Sequence, residues 1–289
     1  MKIDGNTELC GLIGNPVRHT LSPLIHNTLS EICGKNLVYV PFQVEKEKLQ
    51  DAIKGAYALN LRGLNVTVPY KSQVIAEVTE MDELAQNIGA VNTLVRTLSG
   101  FKGFNTDMTG LYRAMCSDGI DISGREVIIL GAGGAARSVA YLCASKGAGK
   151  IYMLNRTYEK AAVIAAELHE KLGYEVVIPM ELSRYDELPG EDYIVIQATS
   201  VGLAPNCDDA VIEDAAFYQK VKWGYDLIYK PFQTRFMKLV ECYGGQAFNG
   251  LKMLLYQGII AYELWNEVSI SQEQAQEVYH VLKEACYEE

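Results

Sequence analysis

The chain lacks the marks of several protein classes. Its seven cysteines contain no Cys-x-x-Cys pair and only four histidines accompany them, so no metal-ligand spacing is present. No stretch approaches the roughly 18 apolar residues that a membrane-spanning helix needs. Positive charge is in short supply: 26 Lys and Arg stand against 36 Asp and Glu, for a net charge of −10. Such an acidic surface repels phosphate backbones and argues against nucleic acid as a partner. The first residues, Met1 to Asn6, carry no apolar signal core. The scattered cysteines (Cys10, Cys33, Cys116, Cys143, Cys207, Cys242 and Cys286) suit reduced, mostly buried thiols of a cytoplasmic protein. There is no internal repeat and no low-complexity segment.

What is present is a packed α/β pattern. Hydrophobic residues make up 49% and charged residues 21% of 289 positions, enough for two modest domains or one large one. Short apolar runs at Cys10–Gly14, Leu37–Phe42 and Leu64–Val68 read as strands, with helical spacing at Leu24–Cys33 and from Leu49 to Tyr57 between them. Val91–Thr97 and Phe101–Phe104 read as a hairpin, and a helix is expected near Thr109–Cys116. From Glu126 onward, strands at 126–130, 151–154, 176–178, 193–198 and 224–228 follow one another. Helices at 135–146 and 160–172 lie between the first three, which predicts a parallel sheet. The tail carries a helical stripe from Leu251 to Trp265. A last helix follows, begun by a Ser271/Gln274 capping box. Helices without strands cannot extend a sheet, so they are expected to pack back on the first domain. The expectation is therefore a substrate domain of residues 1–107 plus 250–289 and a dinucleotide domain of 108–249, with both ligands in the cleft they form.

Two glycine-containing turns carry candidate chemistry. Gly131-x-Gly133-x-x-Ala136 follows a strand and opens a helix, the context that the dinucleotide fingerprint requires. The first glycine allows the tight turn; the second lets backbone amides approach a pyrophosphate at the helix N-terminus. The alternative is an ordinary strand-to-helix turn. The next strand ends in Asn155-Arg156-Thr157, where an NAD site would place an acid. A guanidinium there can pair bidentately with a 2′-phosphate, and Lys160 adds a cation one turn on, so NADP is expected rather than NAD. Arg156 as a plain surface residue and Thr157 as a helix cap remain the bland readings. The other turn, Gly14 to Pro23, reads as an anion site in which Thr20 and Ser22 present hydroxyls; Ser22 could equally cap a helix with Pro23 at its start.

Lys71 closes the run Asn65-Val66-Thr67-Val68-Pro69-Tyr70-Lys71, and Asp107 ends Asn105-Thr106-Asp107. A lysine beside a carboxylate stays protonated and can give or take a proton at a carbinol oxygen while a cofactor moves a hydride. Asp107 as a helix N-cap is the competing reading. Asn65, Thr67 and Asn92 are polar in apolar surroundings. They must serve either the backbone or a hydroxylated ligand.

Taken together, these segments resemble the shikimate dehydrogenase family. The match runs through Gly14 to Asn27, Asn65 to Lys71, Gly89 to Thr93, Asn105 to Asp107, Gly131 to Ala136, Asn155 to Thr157, Ala198 to Gly202, Asp226 to Thr234 and Gly250 to Gln257, in family order. The resemblance implies reversible reduction of 3-dehydroshikimate with NADPH. It makes Lys71 and Asp107 the catalytic pair. Thr20 and Ser22 would take the substrate carboxylate, and Thr67, Asn92 and Gln257 its hydroxyls, with Tyr229 nearby. Gly131, Ala132, Gly133, Gly134 and Ala135 would hold the pyrophosphate. Asn155, Arg156, Thr157 and Lys160 would hold the adenosine phosphate, and Thr199, Gly250 and Met253 other parts of NADP. A monomer or homodimer is expected.

Four positions depart from the family pattern: Thr20 for serine, Lys160 for arginine, Tyr70 for Phe or His, and Lys252 for glycine. Quinate-accepting relatives also vary in the Ser/Thr pair, so a quinate/shikimate dehydrogenase of broader specificity is an alternative. So is a non-catalytic NADP-binding regulator, though that would not need both Lys71 and Asp107. A reductase of activated acyl groups would need a nucleophilic cysteine, and Cys10 and Cys33 sit in apolar stretches that suit a core.

Overall fold

The computed structural model describes residues 3–287. The chain divides into two compact units: Met1–Leu111 with Leu254–Glu289, and Tyr112–Met253. The first begins with β1 (Glu8–Gly14), α1 (Ser22–Ile32), β2 (Leu37–Gln43), α2 (Leu49–Ala58), β3 (Gly63–Val66), β4 (Glu80–Met81), α3 (Glu83–Ile88), β5 (Thr93–Arg96), β6 (Phe101–Phe104) and α4 (Thr106–Ser117). Its sheet has the order β2-β1-β3-β5-β6-β4. Long crossovers through α1 and α2 leave β1 parallel to both β2 and β3, whereas the short β5–β6 turn forces antiparallel pairing. The sheet is mixed for that reason. All four residues of β3 are buried, as in a strand covered on both faces. Ile13, Leu64, Val66, Leu94 and Phe101 share one core.

The second unit contains β7 (Glu126–Leu130), α5 (Gly134–Ser145), β8 (Lys150–Asn155), α6 (Tyr158–Leu172), β9 (Val177–Glu181), β10 (Tyr193–Gln197), α7 (Ala215–Tyr218), β11 (Val221–Asp226), α8 (Arg235–Cys242) and β12 (Gln246–Phe248). Every strand pair is parallel, and the order is β12-β11-β10-β7-β8-β9. Counted within the unit this is 6-5-4-1-2-3, the doubly wound dinucleotide-binding order. Its order reverses between β7 and β10, the place where open α/β sheets take their ligands.

Two helices close the chain, α9 (Leu251–Asn266) and α10 (Gln272–Tyr287). The Ser271/Gln274 capping box forms in both directions: Gln274 N donates to Ser271 Oγ, and Ser271 N to Gln274 Oε1. Passage between units occurs inside α4 and α9, a few residues later than the motif ends suggested. A helix holds its i→i−4 ladder through such a boundary. The sequence reading also missed α3, α7, α8, β4 and β12, and it started β5 two residues early.

Candidate functional site

In the first unit the candidate residues gather where β1 and β3 end. Gly14 closes β1, and a Cβ there would lie 2.3 Å from Thr67 Cγ2, so only glycine lets the two exits come this close. Thr67 N donates to Ile13 O and Asn15 N to Val68 O. Tyr70 is fully buried and its hydroxyl donates to Val44 O at 2.6 Å, which ties the Lys71 turn to the segment after β2. That bond gives the Tyr70 departure a structural role. The Lys71 carbonyl is held in turn by Val91 N.

Lys71 Nζ lies 2.7 Å from Asp107 Oδ2, with side chains 35% and 19% exposed. The pair is half-buried and still reachable. Asp107 is available because it does not cap α4; Asn105 does, its Oδ1 accepting from Met108 N. Asn92 Oδ1 accepts from Thr106 N at 2.7 Å and its amide donates to Thr106 Oγ1, which fixes the start of α4 one residue before Asp107. Gln257, on α9, sits against Gly110, one turn beyond Asp107, where an added Cβ would meet the Gln257 backbone nitrogen at 2.6 Å. Its side-chain amide donates to Leu254 O.

Thr20 and Ser22 form a hydroxyl pair 3.1 Å apart, and Ser22 N donates to Thr20 Oγ1. Ser22 does not act as a cap: Leu21 occupies that position, its carbonyl accepting from Leu24 N and Ile25 N. The N-terminal end of the α1 dipole lies beside the two hydroxyls and adds positive potential there. A cavity of about 610 Å³ is lined by Val17, Arg18, Thr20, Pro23, Pro41 and Gln43.

In the second unit Gly131 has φ +114°, and a Cβ there would lie 2.8 Å from Thr199 Cγ2. The turns after β7 and β10 thus touch at the reversal of strand order. Gly133 caps α5 without any side-chain bond, and Gly133 and Gly134 would each project a Cβ into open space. Free amides, a helix N-terminus and room above them fit a pyrophosphate. Gln197 shapes the neighbouring floor: its Oε1 accepts from Thr199 N and Oγ1, and its amide donates to Val201 O. Ala135, Ala198, Thr199, Leu203, Ile228 and Tyr229 are among the residues lining a largely apolar cavity of about 470 Å³. Gly250 packs on Leu227 beside it, where a Cβ would meet Leu227 O at 2.3 Å. Met253 stands one turn further along and does not line this cavity.

Below the cavity, Asp226 is fully buried. It accepts from Thr234 Oγ1 at 2.6 Å and from Ile228 N at 3.0 Å, clamping the 227–234 loop. Burial pushes its carboxyl up to about 6, against the lowering effect of those two donors. Sequence reasoning named Asp226 only as a motif end; the motif does not say which donors it serves.

At the end of β8, Asn155 donates its amide to Thr157 O. Thr157 stands at the N-cap of α6 but makes no capping bond. Arg156 is exposed and borders a cavity of about 380 Å³ whose lining also includes Glu181, Ser183, Tyr185, Ile212 and Glu213, the last paired with Arg235. Lys160 is exposed in the first turn of α6. No acid stands at the end of β8, so the cationic edge suits a phosphate rather than a bare ribose. Lys252, the other departure, pairs with Asp118 just past the end of α4. Among the described residues no cluster of metal-ligating side chains occurs, and no helix is long and apolar enough to cross a membrane.

A doubly wound unit with a glycine turn at its switch point, in a chain that also has a mixed α/β unit holding a lysine–carboxylate pair, defines a dinucleotide-dependent oxidoreductase class. Comparison with known proteins narrows this. The family model described as shikimate dehydrogenase substrate binding domain matches residues 12–94, and that described as shikimate / quinate 5-dehydrogenase matches 114–211. The shikimate dehydrogenase (NADP(+)) of Desulforamulus reducens is 39% identical, over 91% of each chain. A shikimate 5-dehydrogenase structure from Listeria monocytogenes, in complex with shikimate and NAD, aligns with TM-score 0.89 and 33% identity over 96% of this chain and 98% of that one. The Thermus thermophilus enzyme, in complex with NADP(H) and shikimate, aligns with TM-score 0.81 and 30% identity over 96% and 100%. The chain belongs to the shikimate dehydrogenase family.

Proposed function

We propose that this protein catalyses the reversible NADP-dependent reduction of 3-dehydroshikimate to shikimate, a step of aromatic amino-acid biosynthesis, as a cytoplasmic monomer or homodimer. The observation that carries the reading is the half-buried Lys71–Asp107 pair at 2.7 Å. It lies in the unit whose residues 12–94 match the family's substrate-binding domain, in a chain that also has a doubly wound dinucleotide unit.

Thr20 and Ser22 receive the substrate carboxylate with the N-terminal end of α1 behind them. Thr67, Asn92 and Gln257 take the ring hydroxyls, and Tyr229 meets the substrate near the nicotinamide. Bound NADPH supplies the hydride. The Lys71 ammonium gives a proton to the ketone oxygen as the alcohol forms and recovers it in the reverse direction. Asp107 keeps that nitrogen charged and aimed. Gly131, Ala132, Gly133, Gly134 and Ala135 hold the pyrophosphate by backbone. Asn155, Arg156, Thr157 and Lys160 hold the adenosine 2′-phosphate, and Thr199, Gly250 and Met253 hold the remainder. On this reading Met1–Leu111 with Leu254–Glu289 is the substrate domain and Tyr112–Met253 the NADP domain.

Thr20 favours one second reading, use of quinate as well, because its methyl changes the surface beside the acid group. A spectrophotometric panel of 3-dehydroshikimate and 3-dehydroquinate, each with NADPH and NADH, decides both points. The expected result is fastest turnover with 3-dehydroshikimate and NADPH. No turnover of either acid sinks the assignment.

A further inference from the structure

Asn65 stands two residues before Thr67 in the motif that ends at Lys71, yet it has nothing left to offer a ligand. Its Oδ1 accepts from Tyr39 Oη at 2.8 Å and from His26 Nε2 at 3.1 Å. Its amide donates to Asn92 O at 3.3 Å and to Thr93 Oγ1 at 3.0 Å. All four hydrogen-bonding positions of the side chain are used. The orientation is forced, since the Asn92 carbonyl can only accept and must face the nitrogen. His26 must then donate through Nε2, and burial keeps it the neutral imidazole. Its Nδ1 has no partner among the described residues, and burial lowers the ring to about 3.

The bonding continues toward the site. Thr93 Oγ1 receives from Asn65, so its own proton goes to Thr106 Oγ1 at 2.9 Å or Asn92 Oδ1 at 3.3 Å. Asn92 Oδ1 holds the Thr106 N–H, and Asp107 follows. His26, Tyr39, Asn65, Asn92, Thr93 and Thr106 are all under 5% exposed. They come from α1, β2, β3, the start of β5 and the first residue of α4. Stacking clamps the far end: the His26 ring lies 4.2 Å from that of Tyr39 and 5.0 Å from that of Trp265. Six buried polar side chains in one unit cost stability unless each is paired, and such networks specify one geometry when complete.

We propose that the buried chain of hydrogen bonds from Tyr39 and His26 through Asn65 and Thr93 to Asn92 and Thr106 is a positioning relay that sets Asp107, and through it Lys71, for proton transfer. This rests on the function proposed above. Asn65, Thr93, Tyr39 and His26 are positioning residues: none is bonded to Lys71 or Asp107 directly. Thr93 is the link whose loss leaves the shape intact, because valine keeps the volume and removes only the hydroxyl.

The test compares wild type, Thr93→Val, Thr93→Ser and Tyr39→Phe. It measures kcat and KM for 3-dehydroshikimate with NADPH, thermal midpoint, and hydrogen exchange of the Thr106 amide. Thr93→Val is expected to lower kcat about tenfold with KM within about twofold; Tyr39→Phe should lower kcat likewise and also raise KM, because the Tyr39 hydroxyl bonds Ser22 as well. Thr93→Val should also lose protection at Thr106. Thr93→Ser should restore both. Wild-type kcat and Thr106 protection in Thr93→Val overturn the relay, as does a Thr93→Ser no better than Thr93→Val. Loss of activity only in proportion to loss of folded protein overturns it too. Absence of turnover in wild type instead removes the functional assignment, and the relay's catalytic role with it, so the two failures are told apart by the wild-type control.

Discussion

The two units build their candidate sites from opposite materials. The first uses buried side chains: Ser22, Asn65, Asn92, Thr93, Asn105, Thr106 and Gln257 are all under 9% exposed, and most are bonded to one another. The second uses backbone and surface. Gly133, Gly134, Ala135, Arg156, Thr157 and Lys160 are exposed, and its buried polar groups Gln197, Asp226 and Thr234 bond neighbouring loops and the start of α8. A site of buried side chains fixes one small polar ligand by directional bonds. A site of amides and exposed cations fits a long anionic cofactor that must come and go.

The contrast predicts graded effects. Lys71→Ala should have the largest, lowering kcat by about 10²–10⁴-fold, the span for a general acid, with NADPH affinity nearly unchanged. Steady-state kinetics beside a fluorescence titration of NADPH checks it, and comparable losses in both would place Lys71 at the cofactor. Gly131→Ala should come next and do the reverse. It forces alanine into φ +114° against Thr199, a strain of about 1–3 kcal/mol, and should weaken NADPH binding while shikimate binding persists. Calorimetry with each ligand separates the two. Arg156→Ala should raise KM for NADPH roughly 10–100-fold by removing a charge-assisted contact and hardly alter NADH. Equal losses on both cofactors would remove the phosphate contact from the account.

A separate effect, on stability rather than activity, is in pH. His26, in the first unit, is lowered from 6.5 to about 3 by burial, so the unfolded chain binds more protons. Stability reported from that unit should fall as pH drops from about 6.5 toward 3. Asp226, in the second unit, is raised from 3.8 to about 6, so its folded form binds more protons between those values. There stability should rise as pH drops, by up to about 3 kcal/mol for a shift of this size. Each unit has one tryptophan, Trp265 in the first and Trp223 in the second. Urea unfolding of Trp223→Phe and Trp265→Phe variants at pH 4 and 6.5 reads them separately. Parallel trends from both reporters would contradict the opposite signs.

Much of the fold was legible because its signals are local. The β7 strand is bounded as read from sequence, at Glu126–Leu130, since an apolar run met a glycine turn. The α3 and α8 helices were missed because six and eight residues barely fill two turns; their caps, Asp82 and Thr234, went unweighed. The three-residue β12 is too short to show a period. Within the site, motifs marked Lys71, Asp107 and the glycine turn. They could not tell that Asn105 rather than Asp107 caps α4, nor that Asn65 is spent on His26 and Tyr39. Those partners lie 39 and 26 residues away, and pairing at that range is decided by the sheet, not by neighbours in sequence.

The most direct test of the central claim is single-turnover oxidation of bound NADPH by 3-dehydroshikimate in wild type and Lys71→Ala, both saturated with cofactor. The account predicts that both bind NADPH and that hydride transfer in the variant is slower by at least about a hundredfold. A variant that oxidises NADPH at the wild-type rate would contradict it.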